Sequence, residues 1–318
     1  MKRLLCRAAA FLAGTAAVVT GGSAYFYRRT MIRSKAKRER TIKMSGTDWY
    51  QYYPVIEKYK SRMLSYPHHD VWITSGDGLR LHGTYFPGEG GNRAVICFHG
   101  YTSQGMSDFI GVSDYYLKHG YRMLLVDERA HGESEGEYIG FGFMDRKDAL
   151  LWIRWMLMQV PESERNQMQI LLHGISMGGA TVLMATGLEL PEQVRGVISD
   201  CAFTSPKEVF THVLHSMYHL PAFPILRIAD AVNRRKAGYG LDECNAAREV
   251  RKARIPALLI HGEDDTFVPC SMCEEICRNY AGRKMQLLVP GAGHAESFYK
   301  DTEAYMDALD RFAGGIIK

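Results

Sequence analysis

Short apolar runs alternate with longer helical stretches over most of the chain. Apolar runs bounded by turn residues are typical of strands that are buried in a sheet. The first two runs flank the turn sequence SGDG at residues 75–78, which predicts a hairpin. Alternation of strands with helices predicts an α/β protein with a mainly parallel sheet covered by helices on both faces. The eight predicted strands are residues 71–74, 79–86, 94–98, 122–126, 170–172, 197–199, 257–260 and 285–289.

Two segments between the strands have their own patterns. Residues 145–159 carry the apolar spacing of a helix that packs against a sheet. Residues 205–254 contain no strand pattern and are too long for a simple connection. We therefore expect a helical lid inserted above the carboxyl ends of the strands, with a pair of ordinary crossover helices as the alternative. The apolar stripe of this lid consists of Val209, Phe210, Val213, Leu214, Met217 and Tyr218.

The amino-terminal region differs from the rest of the chain. No charged residue occurs from Ala8 to Tyr27, a stretch long enough to cross a bilayer as a helix. Three basic residues precede it and eight follow it, which favours a cytoplasmic carboxyl-terminal side. A secretory signal cleaved after Ala24 is the alternative. The predicted organisation is a transmembrane anchor with a basic flank at 1–45, a linker or packing helix at 46–69 and a globular domain at 70–318.

Composition and charge place the body of the protein among ordinary globular proteins. Of its 318 residues, 46% are hydrophobic and 23% are charged. The net charge of +4 comes from residues 1–45, which hold eleven basic residues and one acidic residue. The remainder is mildly acidic, with 28 basic and 34 acidic residues, and it lacks the basic surface that binding to nucleic acid requires. We therefore expect no nucleic-acid partner.

The clearest chemical motif follows the predicted strand at 170–172. Residues 174–178 read GISMG and match G-x-S-x-G, with a helix-forming stretch directly after them. Strand, tight turn and helix are the context in which this motif presents a nucleophilic serine, here Ser176. An ordinary Gly- and Ser-rich turn is the alternative interpretation.

A serine needs a base and an orienting carboxylate, because its hydroxyl proton stays on at neutral pH. His294 lies in a glycine-rich loop just after the last predicted strand. Between the serine and this histidine, an acidic loop at 263–265 follows the strand at 257–260. The order serine, acid, histidine is the one that a strand–elbow–helix architecture uses.

At this point the sequence resembles an alpha/beta hydrolase of the serine-aminopeptidase and monoacylglycerol-lipase-like branch, over about residues 70–316. Members of that branch show H-G-x-x after the third strand, D-x-R-x-H-G-x-S-x-G after the fourth, G-x-S-x-G after the fifth and G-x-x-D-x-x-V-P before the histidine. In this sequence the four corresponding stretches are 99–102, 127–136, 174–178 and 262–269. One departure from the family is Ala130, in a loop that supports the site, where the family usually has glycine.

The resemblance implies an alpha/beta-hydrolase fold, with an eight-stranded, mostly parallel sheet and a helical lid, and it assigns the triad to Ser176, Asp265 and His294. Asp264 and Asp200 are alternative acids, because Asp264 is adjacent and some hydrolases carry the acid after the sixth strand. The oxyanion hole is expected to use the backbone N–H groups of two residues, Tyr101 and Met177.

Other histidines and cysteines allow competing interpretations. His99 and His131 are expected to hold loops, and His173 to pack beneath the elbow. The histidines at 212, 215 and 219 share a helix face and are expected to form a polar lid face, with a zinc site as the alternative. The cysteines at 270, 273 and 277 are expected to be free thiols, with an iron–sulfur site as the alternative. Neither a metal nor an organic cofactor is expected.

Together these features predict a membrane-tethered serine hydrolase. It would cleave an ester or related acyl bond of a small molecule through an acyl-enzyme, and the apolar lid stripe suggests a hydrophobic acyl group. An aminopeptidase-type peptidase and a catalytically silent binding protein on the same fold are alternatives. A cofactor-free haloperoxidase or lyase would use the same triad and also stays open.

Overall fold

A computed structural model describes residues 19–33, 47–243 and 245–317. The sheet order is β1-β2-β4-β3-β5-β6-β7-β8, and β2 runs in the opposite direction to the other seven strands. The eight predicted strands and the hairpin are therefore confirmed. The strands are β1 (His69–Thr74), β2 (Arg80–Phe86), β3 (Arg93–Phe98), β4 (Arg122–Val126), β5 (Gln169–Ile175), β6 (Val194–Asp200), β7 (Ala257–Gly262) and β8 (Lys284–Val289).

Helices cover both faces of this sheet. The longer ones are α1 (residues 19–30 of the described chain), α2 (Tyr53–Ser65), α3 (Ile110–Lys118), α4 (Asp145–Leu157), α5 (Met177–Ala185), α6 (Pro206–Ser216), α7 (Ala222–Lys236), α8 (Cys270–Asn279) and α9 (Thr302–Gly314). Short helices occupy Gly105–Asp108, Ala246–Glu249 and Ser297–Lys300, and 3-10 turns occupy Trp49–Tyr52, Glu162–Gln167 and Val250–Lys252. Helix α4 ends two residues before the predicted end, and Pro161 follows shortly after.

Two apolar cores lie on opposite faces of the sheet. Along β3, Ile96 and Phe98 belong to one core and Val95 and Cys97 to the other, because successive side chains of a strand point to opposite faces. The first core includes residues of α4 and α5, and the second includes residues of α3 and α9. Burial on both faces explains why the strands read as continuous apolar runs.

The carboxyl ends of the parallel strands share one edge of the sheet. The loops after β3, β5, β7 and β8 all begin at this edge, because these strands run in one direction. Open α/β sheets place their ligand sites at such an edge. The motifs that were predicted to carry chemistry therefore lie on neighbouring loops.

The predicted helical segment lies between β6 and β7. It contains α6, α7 and the short helix at 246–249, with no strand among its described residues, 205–243 and 245–254. The first part of the predicted apolar stripe, including Phe210, is buried in the core below. Met217 and Tyr218 are exposed instead, because α6 ends at Ser216 and the chain turns away.

The predicted anchor, residues 8–27, lies partly outside the described residues. Its described part belongs to α1, which buries Ser23, Phe26 and Tyr27 along one side against the rest of the protein. Within the part of the chain that the structure describes, no helix combines the length and the apolar character needed to cross a bilayer. Membrane attachment stays a prediction from the sequence.

Candidate active site

The turn between β5 and α5 places Ser176 in a sharply bent backbone, with φ +56° and ψ −112°. Residues other than glycine rarely adopt a positive φ, and holding one there costs on the order of 1–3 kcal/mol. The flanking glycines are required by space. A Cβ at Gly174 would lie 2.1 Å from the carbonyl oxygen of Gly178, and one at Gly178 would lie 1.9 Å from that of Phe98.

Two backbone hydrogen bonds hold this elbow on its neighbours. The N–H of Ser176 donates to the carbonyl of Asp200 at the end of β6, at 2.8 Å. The N–H of Gly178 donates to the carbonyl of His99 in the loop after β3, at 3.0 Å. The strained turn is thus fixed from both adjacent strands, which is how such a conformation persists.

Three predicted residues from distant parts of the sequence form one hydrogen-bonded relay. The Oγ of Ser176 lies 2.9 Å from Nε2 of His294. The Nδ1 of His294 lies 2.7 Å from Oδ2 of Asp265. The other carboxylate oxygen of Asp265 accepts the N–H groups of Phe267 and Val268, at 2.9 and 2.8 Å. The carboxylate is therefore fixed by its own loop while it orients the imidazole.

The two alternative acids lie elsewhere. Asp264 is exposed to solvent, one residue before the carboxylate that reaches His294. Asp200 is buried, and its Oδ1 accepts the hydroxyl of Ser297 at 3.2 Å. Geometry thus selects Asp265 among the three carboxylates that the sequence left open.

The charge of Asp265 is stabilised by two imidazoles. Burial by itself raises the pKa of this carboxyl, but neighbouring His294 and His261 outweigh burial and hold the pKa well below its ordinary value. His261 has its Nε2 2.8 Å from the carbonyl of Val268 and 3.4 Å from Oδ2 of Asp265. No role was predicted for His261, although its position near the end of β7, four residues before Asp265, was a usable signal.

The loop after β3 runs beside the nucleophile. A Cβ at Gly100 would lie 3.3 Å from the Cβ of Ser176, so the main chain of this loop passes close to the reacting hydroxyl. The N–H of Gly100 donates to Oδ2 of Asp108 at 2.7 Å. Tyr101, the next residue, therefore lies beside the serine, at the position predicted for one oxyanion donor. Met177 begins α5, where the first N–H groups have no acceptor within the helix.

His99 and His131 hold these loops as predicted. The Nδ1 of His99 donates to the carbonyl of Gly100 at 2.7 Å, and its Nε2 accepts the N–H of Glu128 at 3.0 Å. The Nε2 of His131 accepts the N–H of Thr102 at 3.1 Å. Burial, the largest effect, lowers the pKa of His131 to about 3, so the ring stays neutral and keeps this acceptor.

The remaining histidines of the sequence analysis lie away from the relay. His173 is buried beneath the elbow, between the hydroxyls of Tyr116 and Tyr305 at 2.8 and 3.2 Å. Burial lowers the pKa of His173 to about 3. On α6, the Nε2 of His212 lies 2.9 Å from the carbonyl of Thr266, so this ring links the helix to the loop of Asp265.

One buried cysteine, Cys201, lies close to the relay. The ligand-type atoms of Cys201, Asp265 and His294 all lie within 4.8 Å of one another. Burial raises the pKa of the Cys201 thiol well above its ordinary value, so Cys201 stays protonated.

The cysteines predicted as free thiols, Cys270, Cys273 and Cys277, are reduced and lie on α8.

Comparisons with known proteins agree with this architecture. A family described as "alpha/beta hydrolase fold" matches residues 93–224, which include the elbow. The uncharacterized protein YqkD of Bacillus subtilis is 28% identical over 241 residues, covering 76% of this chain and 77% of YqkD. Lysophosphatidylserine lipase ABHD12 of Danio rerio is 25% identical over 177 residues, covering 53% of this chain and 44% of that lipase.

A solved structure shows the same arrangement of strands and helices. The Pyrococcus furiosus esterase Pf2001 superposes with a TM-score of 0.67 at 22% sequence identity, covering 81% of this chain and 94% of the esterase. At that identity the likeness speaks for the fold alone. The matched stretch, which carries the elbow, and the superposition both show that the chain has an alpha/beta-hydrolase fold.

Proposed function

We propose that this protein is a serine hydrolase that cleaves a carboxylic ester or related acyl bond through an acyl-enzyme. The observation that carries the proposal is the relay from Ser176 through His294 to Asp265, with contacts of 2.9 and 2.7 Å. Both distances lie within the range that proton transfer between a nucleophile and its base requires.

In this proposal each residue has one task. Ser176 attacks the acyl carbonyl while Nε2 of His294 takes its proton, and Asp265 stabilises the imidazolium that forms. The N–H groups of Tyr101 and Met177 bind the oxyanion, each contributing about 3 kcal/mol to stabilisation of the transition state. His294 then protonates the leaving group, and water releases the acyl group by the same steps in reverse.

The proposed substrate is a small ester with an apolar acyl group. Support comes from the aromatic residues around Tyr101. The ring of Phe141 stacks on the ring of Tyr101, with 5.5 Å between the centroids. The ring of Phe210 on α6 packs on Phe141 at 5.1 Å. Two similar proteins are an esterase and a lysophosphatidylserine lipase, which favours ester substrates over peptides.

Labelling with a fluorophosphonate probe tests the nucleophile. We expect the wild type to be labelled, Ser176→Ala to lose all labelling, and the exposed serine variant Ser61→Ala to be labelled like the wild type. Labelling that persists in Ser176→Ala would contradict the proposal. No labelling of the wild type would favour the silent binding protein instead.

Turnover then separates the hydrolase classes. We expect hydrolysis of p-nitrophenyl esters to increase from acetate to longer acyl chains, and aminoacyl p-nitroanilides to be poor substrates. Faster cleavage of the anilides would favour a peptidase. Equal rates for all chain lengths would remove the apolar acyl group from the proposal.

A further inference from the structure

The end of helix α1 lies against the loop that is proposed to supply an oxyanion donor. The hydroxyl of Tyr101 is 3.2 Å from the carbonyl oxygen of Arg29 and 3.1 Å from that of Thr30. The last carbonyl groups of a helix have no partner within the helix, so they accept this phenol readily. Residues that lie 71 and 72 positions before Tyr101 in the chain thus fix its side chain.

The end of α1 is itself held independently of Tyr101. Ile32 pairs with Tyr138 in an antiparallel bridge, and the N–H of Arg33 donates to the carbonyl of Glu137 at 2.8 Å. The guanidinium of Arg33 donates to two further carbonyls, those of Gly132 and Ser134. These contacts anchor the segment on the loop between β4 and α4.

The helix is also held by side-chain packing. The ring of Phe26 contacts that of Phe210 on α6 edge to face, at 5.5 Å between centroids. Phe26, Tyr27 and Met31 are buried along the inner side of the segment. The acceptors for the Tyr101 hydroxyl are therefore carried by a packed element rather than by a free end.

Tyr101 is consequently fixed at two points beyond its own main chain. Its ring stacks on Phe141 with an angle of 27° between planes, and its hydroxyl is bound by α1. The neighbouring N–H of Thr102 is held by His131 at 3.1 Å. A donor that is already aimed stabilises a developing oxyanion without paying for reorganisation in the transition state.

We propose that the end of helix α1, at Arg29 and Thr30, together with residues 31–33 is a positioning element of the oxyanion hole, which acts through the side chain of Tyr101. This inference rests on the proposed function, because it concerns the aim of the Tyr101 N–H at the acyl carbonyl. Tyr101 is then a positioning residue through its hydroxyl, in addition to its main-chain role.

Replacement of a single hydroxyl tests the inference in the full-length protein. Tyr101→Phe keeps the ring and its stacking on Phe141 but removes the bond to α1. We expect kcat for p-nitrophenyl acetate, counted per site labelled by fluorophosphonate, to fall roughly tenfold, since small misplacements of catalytic groups cost that much or more. KM is expected to change less than about twofold, because the orientation of the Tyr101 N–H group affects binding of the transition state and not binding of the substrate.

The matched control removes a hydroxyl from the same helix. Tyr25 is 67% exposed on the outer side of α1, and Tyr25→Phe is expected to keep kcat and KM of the wild type. Arg33→Met removes the guanidinium contacts that hold the segment on the loop between β4 and α4. This variant is expected to lower kcat per labelled site, as Tyr101→Phe does. In the double variant Tyr101→Phe/Arg33→Met, we expect no further loss, because both changes interrupt one connection.

A transition-state analogue separates positioning from general stability. A trifluoromethyl ketone forms an oxyanion on the serine, so its Ki is expected to rise in Tyr101→Phe by the same factor by which kcat falls. An unchanged kcat per labelled site in Tyr101→Phe, even with a lower melting temperature, would overturn the inference. So would a change confined to KM. If instead Ser176→Ala kept its activity, the proposed function itself would fail.

Discussion

The hydroxyl of Tyr52 donates a hydrogen bond to Oε1 of Glu296, at 2.5 Å. The other oxygen of Glu296 accepts the N–H of Gly293 at 2.6 Å, so the glutamate links the segment before α2 to the loop of His294. Nearby, the hydroxyl of Thr47 lies 3.3 Å from the carbonyl of His294. A segment that precedes the sheet in the chain therefore supports the proposed general base directly.

Removing this link is expected to slow the reaction more than it weakens the fold. Tyr52→Phe deletes one half-exposed hydrogen bond, which costs about 1 kcal/mol of the free energy of unfolding. Because Glu296 then holds the histidine loop less firmly, we expect kcat to fall severalfold. Urea unfolding and ester turnover measure the two effects, with Tyr50→Phe on the same 3-10 turn as the exposed control. Equal turnover in both variants would contradict the link.

The assignment of the acid gives a second prediction. Asp265→Asn keeps the shape of the side chain but removes the charge that stabilises the imidazolium, so kcat is expected to fall roughly 10³–10⁴-fold. Asp264→Asn, at the exposed neighbouring position, is expected to retain wild-type turnover within about twofold. Steady-state kinetics on a short ester measure both. A reversed order of the two variants would show that the loop is arranged differently in solution.

Asp200 gives a prediction about pH and stability. Burial, the largest effect, raises the pKa of this carboxyl from 3.8 to about 6. Since the folded state then binds the proton more tightly than the unfolded state, the contribution of Asp200 lowers the free energy of unfolding as pH rises from about 4 to about 6. The total is about 3 kcal/mol.

In Asp200→Asn this pH-dependent cost is absent. The variant is therefore expected to gain stability relative to the wild type as pH rises through that window, while Asp265 still supports turnover. Urea unfolding of both proteins at pH 4.5 and 7.5 measures the change. A stability difference that is the same at both pH values would contradict the burial argument. Loss of turnover in Asp200→Asn, as large as in Asp265→Asn, would contradict the assignment of the acid.

The glycines of the elbow give a steric prediction. A Cβ at Gly178 would lie 1.9 Å from a backbone oxygen of Phe98, which a side-chain rotation cannot relieve. Gly178→Ala is therefore expected to cost at least ~3 kcal/mol of the free energy of unfolding. Gly76→Ala, in the hairpin turn where nothing lies within 4 Å of the added carbon, is expected to change it by less than ~1 kcal/mol. Denaturation midpoints distinguish them, and similar midpoints would refute the steric argument.

The strands and the elbow could be predicted from local sequence because their causes are local. A strand such as β3 is buried on both faces, so its positions 94–98 are all apolar and can be recognised as a strand without knowledge of its neighbours. The glycines around Ser176 are likewise required by a turn five residues long. The resemblance that the four motifs carry then implied an alpha/beta-hydrolase fold.

The support of the site was harder to predict because its causes are not local. His261 reaches Asp265 only because the loop after β7 folds back on the strand. The role of α1 was not predicted either, since an uncharged stretch reads the same whether it enters a bilayer or packs on a protein. In the described part of that stretch, Phe26 packs on Phe210 of α6, and the carbonyls that follow it at the end of α1 accept the hydroxyl of Tyr101.

By itself the sequence determined the eight strands, the strained serine and the set of candidate acids, because hydrophobic pattern and turn chemistry act over a few residues. Only the tertiary structure decided which carboxylate meets His294, and that segments before the sheet hold both the loop of Tyr101 and the loop of His294. Those choices depend on distances of about 3 Å between residues that are up to 247 positions apart, which only the folded arrangement of strands and loops sets.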